Sequence, residues 1–353
     1  KFEVSDSLSD PDAIILRSHK LKKEDFGKNL KAIARAGAGV NNIPVEECSD
    51  LGIPVFNTPG ANANAVKEIV LAALLMSSRG LFQGANFVNS IEESNQDELK
   101  PLIESGKKSF KGRELTGGTL GVVGMGAIGS KVADMGVMLG MNVIGYDPAI
   151  TVEAAWKLPN KVERKESIED VFKESDYISL HVPANDKTKG LINSDLLKNA
   201  KKGLRLINFA RDEIVVSKDI IESLDKSILS KYVTDFADLE LISRAKTANE
   251  VIILPHIGAS TRQAEENCSV MAADQLKDFL ENGNIKNSVN FPELIEERQS
   301  DFRLTLSNRN VAGMIGQITT ILAENNINII ELINKSREEI AYNVIDLETK
   351  PSD

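Results

Sequence analysis

Thr119-Leu-Gly-Val-Val-Gly-Met-Gly-Ala-Ile-Gly-Ser130 is the stretch that decides the fold. It begins with a short apolar run that predicts a buried strand and continues into a G-x-G-x-x-G pattern. Such glycines allow a tight turn, a close approach to a pyrophosphate and close packing of the helix that follows. We therefore predict a dinucleotide-binding turn; the alternative is a glycine-rich packing turn. The predicted contacts are Gly124, Gly126, Ala127, Ile128 and Gly129.

Asp147 ends the next predicted strand, which starts at Asn142, and it lies 147 − 129 = 18 residues after Gly129. A carboxylate at this spacing accepts hydrogen bonds from the ribose of an adenosine and repels a 2′-phosphate. The dinucleotide that we expect is therefore NAD rather than NADP.

The overall composition narrows the possible partners. The chain has 353 residues, enough for two or three domains, and a net charge of −10. This acidity argues against nucleic-acid and membrane partners, so an anionic substrate has to be bound by a local cluster of Arg or Lys. Cys48 and Cys268 show no metal-ligand spacing and predict packing thiols in a reducing compartment. Without a signal segment or an apolar run of membrane-spanning length, the predicted location is cytoplasmic.

Short apolar strands alternate with helical segments along most of the chain, which predicts parallel, doubly wound sheets. Residues 81–112 read as a polar helical arm with a break at Pro101, and residues 286–300 read as a charged linker. A further unit, with the pattern strand, helix, strand, strand, starts at Asp301.

Three polar groups follow predicted strands and are candidates for chemistry. His256 comes directly after an apolar strand, where ligands of open α/β sheets bind, so it is a candidate for proton transfer. Arg211 follows another strand and suits a carboxylate, although a surface ion pair with Asp212 or Glu213 is a serious alternative. The segment Asp235 to Glu240 offers three carboxylates, one of which could orient His256, and a solvated acidic loop is the alternative.

A fourth candidate is the segment that starts at Arg35, Arg-Ala-Gly-Ala-Gly-Val-Asn-Asn-Ile-Pro. Small residues after a strand expose backbone N–H groups that suit a carboxylate. Arg17 and Arg35 end neighbouring strands and, with Lys20, could form a cationic patch. The alternative is a plain glycine turn whose arginines bind surface carboxylates.

In this order, these motifs resemble those of the D-isomer-specific 2-hydroxyacid dehydrogenases over nearly the whole chain. The matching segments are 35–42, Asn57-Thr-Pro59, 124–129, 208–211 and 255–259. The resemblance implies two Rossmann-like domains with parallel doubly wound sheets and an active site in the cleft between them. It implies His256 as the acid/base, Arg211 as the clamp for the substrate carboxylate and Glu240 as the partner of His256, with Asp238 as the competing choice.

The resemblance also implies further contacts. Asp235 would lie near the nicotinamide carboxamide. The other residues predicted to bind the cofactor are Ala38, Val182, Phe209, Ala210, Gly258 and Ala259. Those predicted to bind the substrate are Arg17, Ser18, Arg35, Gly37 and Gly39.

The segment from Arg303 to Met314, followed by Asn326-Ile-Asn328, resembles the start of an ACT regulatory domain. This implies a partial βαβ(β) ACT-like unit with Asn308, Asn310 and Asn328 as contacts for an L-serine effector. The expected second helix and last strand of the ACT pattern do not follow. Two other departures from the family are Asp212, where a glycine is usual, and Lys67, where an alanine is frequent.

Within the family, the paired arginines and the C-terminal unit favour NAD-dependent oxidation of 3-phospho-D-glycerate to 3-phosphohydroxypyruvate, the first step of phosphorylated serine biosynthesis. The alternatives are reduction of hydroxypyruvate or glyoxylate and an NAD-sensing protein similar to corepressors. The predicted domains are a substrate-binding domain (1–82 and 262–292), an NAD-binding domain (83–261) and an ACT-like domain (301–353). The resemblance further implies a homodimer or homotetramer, and no metal.

Overall fold

The computed structural model describes residues 2–93, 95–151, 155–156 and 158–351. The strands are β1 (Ala13–Leu16), β2 (Ala32–Arg35), β3 (Val55–Phe56), β4 (Thr119–Val123), β5 (Asn142–Tyr146), β6 (Val162–Arg164), β7 (Tyr177–Leu180), β8 (Leu204–Asn208), β9 (Leu229–Thr234), β10 (Val251–Ile253), β11 (Phe302–Arg309), β12 (Ile329–Arg337) and β13 (Ile340–Leu347). The helices are α1 (Val45–Asp50), α2 (Ala63–Ser78), α3 (Leu81–Asn89), α4 (Gln96–Gly106), α5 (Gly129–Met138), α6 (Ile168–Glu174), α7 (Ser194–Leu197), α8 (Ser217–Asp225), α9 (Leu239–Thr247), α10 (Arg262–Asn282) and α11 (Met314–Glu324).

Contacts divide the chain into two compact units. The first contains the residues up to Asn62 and those from Arg262 onward, and the second is Ala63–Thr261. Helix α2 therefore belongs by its contacts to the second unit, whereas the sequence prediction kept residues up to 82 with the first. The reason is its apolar face, since Val66, Val70 and Leu74 pack into the same core as β4.

The second unit is built on a parallel sheet with the strand order β10-β9-β8-β7-β4-β5-β6. The chain starts in the middle at β4, adds strands on one side and then on the other, which confirms the doubly wound arrangement. The carboxyl ends of all these strands lie along one edge because the strands are parallel. Two apolar cores cover the two faces of the sheet.

The first unit contains a parallel sheet in the order β1-β2-β3 and an antiparallel sheet in the order β11-β13-β12. Helix α10 packs on the parallel sheet through Cys268, Ala272 and Leu276. The strand–helix–strand–strand pattern predicted from Asp301 is confirmed as β11, α11, β12 and β13. An ACT identity for this segment stays a prediction.

Strand β13 is buried along its whole length because both of its faces are covered. Ile345 and Leu347 pack with Leu322 of α11. Tyr342 and Val344, which point the other way, join the core beneath the parallel sheet of the same unit. The antiparallel sheet therefore shares a hydrophobic core with the parallel sheet of the first unit and is not an independent domain. The predicted linker also contributes to this core, since Phe291 is only 1% exposed.

Several local predictions were wrong. Pro101 does not break the arm, since it lies inside α4. This helix is polar and exposed, so water can satisfy the carbonyl group that loses its N–H partner. Strand β6 was missed because it is a short edge strand with two exposed charged residues and no apolar run. The supposed acidic loop after Asp235 instead leads into α9.

In the part of the chain that the structure describes, none of the helices is both long and apolar enough to cross a membrane.

Candidate functional site

The glycine turn after β4 has the geometry of an anion cradle. Gly124 has φ +91°, and a Cβ there would lie 2.7 Å from the carbonyl of His181. A Cβ on Gly129 would lie 1.8 Å from the Gly124 carbonyl oxygen, so this glycine allows α5 to start against the strand. At Gly126 a Cβ would meet nothing within 4 Å, which leaves open space over the exposed backbone. That space is where a pyrophosphate fits.

Asp147 follows β5 and closes the turn from the other side. Its Oδ2 accepts a hydrogen bond from Met125 N at 2.8 Å, and its Oδ1 accepts one from Ala149 N at 2.9 Å. Each oxygen keeps a lone pair for a ribose hydroxyl. The open cradle at Gly126 and this half-buried carboxylate suit a dinucleotide with a free 2′-hydroxyl.

His181, at the end of β7, supports the turn. Its Nε2 hydrogen-bonds with Ser179 Oγ at 2.8 Å, and burial lowers the pKa of His181 to about 3. The ring is therefore neutral at physiological pH and is unsuited to proton transfer. The next residue, Val182, has its Cγ1 2.9 Å from the ideal Cβ position of Gly124.

Arg211 is held in place by the loop that follows β8. Asn208, fully buried, donates from Nδ2 to the carbonyl of Arg211 at 2.8 Å and accepts from Ala210 N at 3.0 Å. The Arg211 guanidinium donates from Nη1 to the Ala210 carbonyl at 2.6 Å. Asn208 is thus a positioning residue that the sequence analysis quoted within a motif without giving it a role.

Asp235 lies at the end of β9 and is only 3% exposed. Its Oδ2 accepts a hydrogen bond from Gly258 N at 2.9 Å, and a Cβ on Gly258 would lie 2.9 Å from the same oxygen. Burial raises the pKa of Asp235, while the bond from Gly258 and the charges of His256 and Arg211 oppose that rise. The charges of His256 and Arg211 therefore both act on the Asp235 carboxyl group at the carboxyl edge of the sheet.

His256 adopts the left-handed backbone conformation, with φ +51°. Its N–H points back to the carbonyls of Asp235 and Leu254, at 3.1 and 3.0 Å. The exposed ring meets Phe236 edge-on, with 5.1 Å between the ring centroids. A left-handed non-glycine residue is unusual and is found most often where surrounding structure enforces it. Phe236, which orients the ring, was not singled out from the sequence.

The two carboxylates proposed as partners of His256 are Asp238 and Glu240, and both lie beside other groups. Asp238 caps α9, because its Oδ1 accepts from Leu241 N at 2.8 Å, and its Oδ2 accepts from Ser217 Oγ. These two hydrogen bonds tie Asp238 to α8 and α9. Glu240 is exposed on the first turn of α9 and lines a groove with Lys218 and Arg244. Its pairing with His256 stays a prediction.

Asp212 is the carboxylate next to Arg211, where the family usually has glycine. A hydrogen bond with Glu213 and the charge of His256 hold the pKa of Asp212 below its ordinary value against the effect of burial. The charge of His256 thus reaches Asp212 and Asp235.

Four more residues predicted to bind the cofactor follow strands at this edge, whereas Ala38 follows β2 in the first unit. Phe209 and Ala210 come after β8, and Gly258 and Ala259 come after β10. Within the second unit, the structure therefore brings the glycine turn, Arg211, Asp235 and His256 to the edge at which open α/β sheets bind ligands.

Apart from Arg211, the five residues predicted to bind the substrate all lie in the first unit. Arg35 donates from Nε to the Arg17 carbonyl at 3.1 Å and from Nη1 to the Gly39 carbonyl at 2.6 Å. Asn57 donates to Ala38 O at 2.7 Å, and Thr58 N donates to Gly37 O at 3.0 Å. Arg17 pairs with Glu265 at 3.2 Å, and Ser18 is exposed beside it. Arg35 thus ties the two loops together.

A single chain does not bring the three predicted effector contacts together. Asn308 pairs with Ala341 in the antiparallel sheet, while Asn328 directly precedes Ile329, which pairs with Leu347. Leu347 lies six positions after Ala341, which corresponds to roughly 20 Å along a strand. Asn308 and Asn328 therefore lie near opposite ends of the sheet, a separation that the sequence could not reveal without the strand register.

Comparison with known proteins agrees with this geometry. Residues 71–258 match the family model described as "D-isomer specific 2-hydroxyacid dehydrogenase, NAD binding domain". The chain is 32% identical to D-3-phosphoglycerate dehydrogenase of Methanocaldococcus jannaschii over 98% of its own length and 64% of that protein. It is 33% identical to hydroxypyruvate reductase of Thermotoga maritima over 78% of its own length and 87% of that protein.

The fold is also similar to that of a solved structure. The NAD+-bound 3-phosphoglycerate dehydrogenase of Entamoeba histolytica is 33% identical, with a TM-score of 0.64 over 80% of this chain and 83% of that one. The chain spans 55 to 64% of the length of three curated phosphoglycerate dehydrogenases that it matches. Together with the glycine turn and its acid, these matches show that the chain belongs to the D-isomer specific 2-hydroxyacid dehydrogenases and carries their NAD-binding domain.

Proposed function

We propose that the chain catalyses NAD-dependent oxidation of 3-phospho-D-glycerate to 3-phosphohydroxypyruvate. The observation that carries the proposal is the grouping of His256, Arg211 and Asp235 at the carboxyl edge of the NAD-binding sheet. Relatives named D-3-phosphoglycerate dehydrogenase support the choice of substrate. The reaction would supply phosphorylated serine biosynthesis.

In this proposal each side chain has one task. Bound NAD supplies the acceptor for the hydride that leaves C2 of the substrate. Arg211 binds the substrate carboxylate with two parallel hydrogen bonds. His256 accepts the proton of the C2 hydroxyl, and nearby carboxylates stabilise the imidazolium that forms. Arg17 and Arg35 supply positive charge for a phosphate.

A second candidate is reduction of hydroxypyruvate, which the match to the Thermotoga maritima reductase favours. The two candidates differ in the phosphate. We would measure initial rates of NADH formation from 3-phospho-D-glycerate and from D-glycerate, and of NADH consumption with hydroxypyruvate and glyoxylate. The proposal requires kcat/KM to be higher for the phosphorylated substrate. A preference for D-glycerate and hydroxypyruvate would establish the second candidate instead.

An NAD-sensing role without turnover is the remaining alternative. It predicts that the protein binds NADH while every one of these substrates leaves the absorbance at 340 nm unchanged. The same assay tests L-serine as an effector: at constant substrate, the rate of NADH formation should fall as L-serine is added, and an unchanged rate would rule out this effector.

A further inference from the structure

Lys67, which stands where alanine is frequent in the family, has no task in the proposed reaction. Its Nζ donates a hydrogen bond to Asn64 Oδ1 at 2.7 Å, so the ammonium group points back along α2 towards the first turn of the helix. The carboxylate of Glu68 is bound by Asn64 Nδ2 at 2.9 Å rather than by Lys67. In the part of the chain that the structure describes, Lys67 forms no ion pair, and its other N–H donors are available to a ligand.

The end of α2 is fastened at the amino edge of the large parallel sheet. The Ser77 carbonyl accepts a hydrogen bond from Nε of Arg205, the second residue of β8, at 2.9 Å. Ser78 Oγ shares a hydrogen bond with Oη of Tyr177, the first residue of β7, at 2.8 Å. Because both strands begin where α2 ends, the helix runs antiparallel to them, from the carboxyl edge of the sheet to its amino edge.

The start of α2 therefore reaches the edge that carries the candidate site. Lys67 precedes Ser77 by ten residues, which is about 15 Å of helix and about the length of β8. The helix packs against β8, β9 and α5, and Val66 shares its core with Phe209, which directly follows β8. Lys67 consequently lies near the carboxyl ends of β8 and β9, the two strands that lead into the candidate site.

The substrate of the proposed reaction needs more than one cation at this edge. It carries a carboxylate, which Arg211 is proposed to bind, and a phosphate with a charge of about −1.5 to −2. The carboxylate of Asp212, directly next to Arg211 in sequence, opposes the approach of an anion. A second cation at the same edge would offset this repulsion, and a lysine ammonium is a common ligand of phosphate.

We propose that Lys67 binds the phosphate of the substrate and so contributes to a preference for the phosphorylated acid, an inference that rests on the proposed function. Asn64 holds the ammonium group at the start of α2, where the positive end of the helix dipole adds to the attraction. Arg17 and Arg35 belong to the first unit, so Lys67 is a cation that the NAD-binding unit itself supplies for this group.

Initial rates with 3-phospho-D-glycerate and with D-glycerate test this assignment in the parent, Lys67→Ala and Lys67→Arg. In Lys67→Ala, kcat/KM for the phosphorylated acid should fall roughly 10–100-fold, while kcat/KM for D-glycerate should stay within a factor of about two. Lys67→Arg keeps the charge and should retain most of the preference. The matched control is Lys173→Ala, which removes an exposed lysine from the last turn of α6, just before the amino end of β7. It should leave both values unchanged.

Calorimetric titration of the NADH complex with 3-phospho-D-glycerate gives a readout without turnover, because reduced cofactor cannot accept a hydride. Lys67→Ala should lower this affinity by a similar factor, with the melting temperature and the affinity for NADH unchanged. A parent protein that prefers D-glycerate would refute the proposed function and this inference with it. A parent that prefers the phosphorylated acid would leave the function standing, and the inference alone would be overturned if Lys67→Ala kept that preference, lost both substrates equally or bound NADH more weakly.

Discussion

At the scale of single residues, replacement of His256 should have the largest effect on turnover. Its left-handed backbone and its edge contact with Phe236 fix the ring next to Asp235. His256→Asn keeps the approximate shape and the tolerance for a positive φ but removes the titratable nitrogen. We expect kcat to fall by roughly 10²–10⁴-fold because general acid–base catalysis is lost.

The measurement is NADH formation under saturating substrate, with NADH affinity followed by fluorescence. Affinity for NADH should be unchanged within a factor of about two, since the glycine turn is intact. His19→Asn, a change at an exposed histidine of the first unit, serves as the control. Turnover close to that of the parent protein in His256→Asn would rule out its role as the base.

Asp147 should determine the choice between NAD and NADP. Its carboxylate accepts from Met125 N and Ala149 N and would face the 2′ position of the adenosine ribose. Asp147→Ser removes the charge, so we expect the ratio of kcat/KM for NAD to that for NADP to fall by at least about tenfold. Asp134→Ser, on the exposed side of α5, should leave the ratio unaltered. An unchanged ratio in Asp147→Ser would place the ribose elsewhere.

At the scale of elements, the glycine turn separates folding from cofactor binding. Gly126→Ala adds a methyl group where the structure has open space, so the melting temperature should not change while NADH binding weakens. Gly124→Ala places the methyl group 2.7 Å from the His181 carbonyl at φ +91°, so both stability and binding should suffer. Thermal unfolding and a fluorescence titration of each variant distinguish the two effects. A Gly126→Ala protein that binds NADH as the parent does would show that no phosphate lies there.

The antiparallel sheet is fastened by a buried ion pair. Arg303 donates from Nε and Nη2 to Asp346, and the two side chains are each 1% exposed. Its remaining N–H groups bind the carbonyls of Asn282, Glu296 and Glu297. All five donors of this guanidinium are therefore satisfied within the first unit.

Removing one partner of this pair should be costly. Arg303→Met leaves the Asp346 carboxylate buried without its cation and should lower the free energy of unfolding by roughly 3–5 kcal/mol. Arg309→Met removes ion pairs of a half-exposed arginine and should cost less than about 1 kcal/mol. Urea unfolding of both variants gives the comparison. Equal losses would show that the buried pair has no special weight.

The same pair makes stability depend on pH. The guanidinium of Arg303 holds the pKa of Asp346 below its ordinary value, so the unfolded chain binds a proton there more readily than the folded one. The stability contributed by Asp346 is therefore complete above the unfolded pKa, near 4, and is lost as the pH falls towards the folded pKa. Urea unfolding of the parent and of Asp346→Asn should converge below about pH 4 and diverge above it. A constant difference across this range would contradict the assignment.

The sequence predicted these elements unevenly. Apolar strands such as β4, β7 and β8 were found because their burial leaves a run of β-branched and aliphatic residues. Helix α9 was missed because its start reads as an acidic loop until Asp238 is seen to cap it. The placement of Glu240 and Asn328 depends on helix phase and strand register, neither of which a local motif contains.

At the scale of the whole molecule, the sequence identified the family and the NAD-binding unit because five motifs occur in a fixed order. The predicted boundary after residue 82 stays a prediction, while the contacts place α2 in the second unit because its apolar face is buried there. The oligomeric state and the cytoplasmic location remain predictions that rest on the resemblance and the composition.

Because one face of β13 packs on α11 and the other on the rest of the first unit, deleting the antiparallel sheet should leave an apolar core exposed. A polypeptide that stops at Ser300 would expose Phe279, Phe291 and Leu294 to water, because the residues of β13 that pack against them would be missing. We expect it to accumulate in inclusion bodies and, after refolding, to bind the dye ANS strongly. A soluble, monodisperse product with the melting temperature of the parent would mean that residues 301–353 do not contribute to the stability of the first unit.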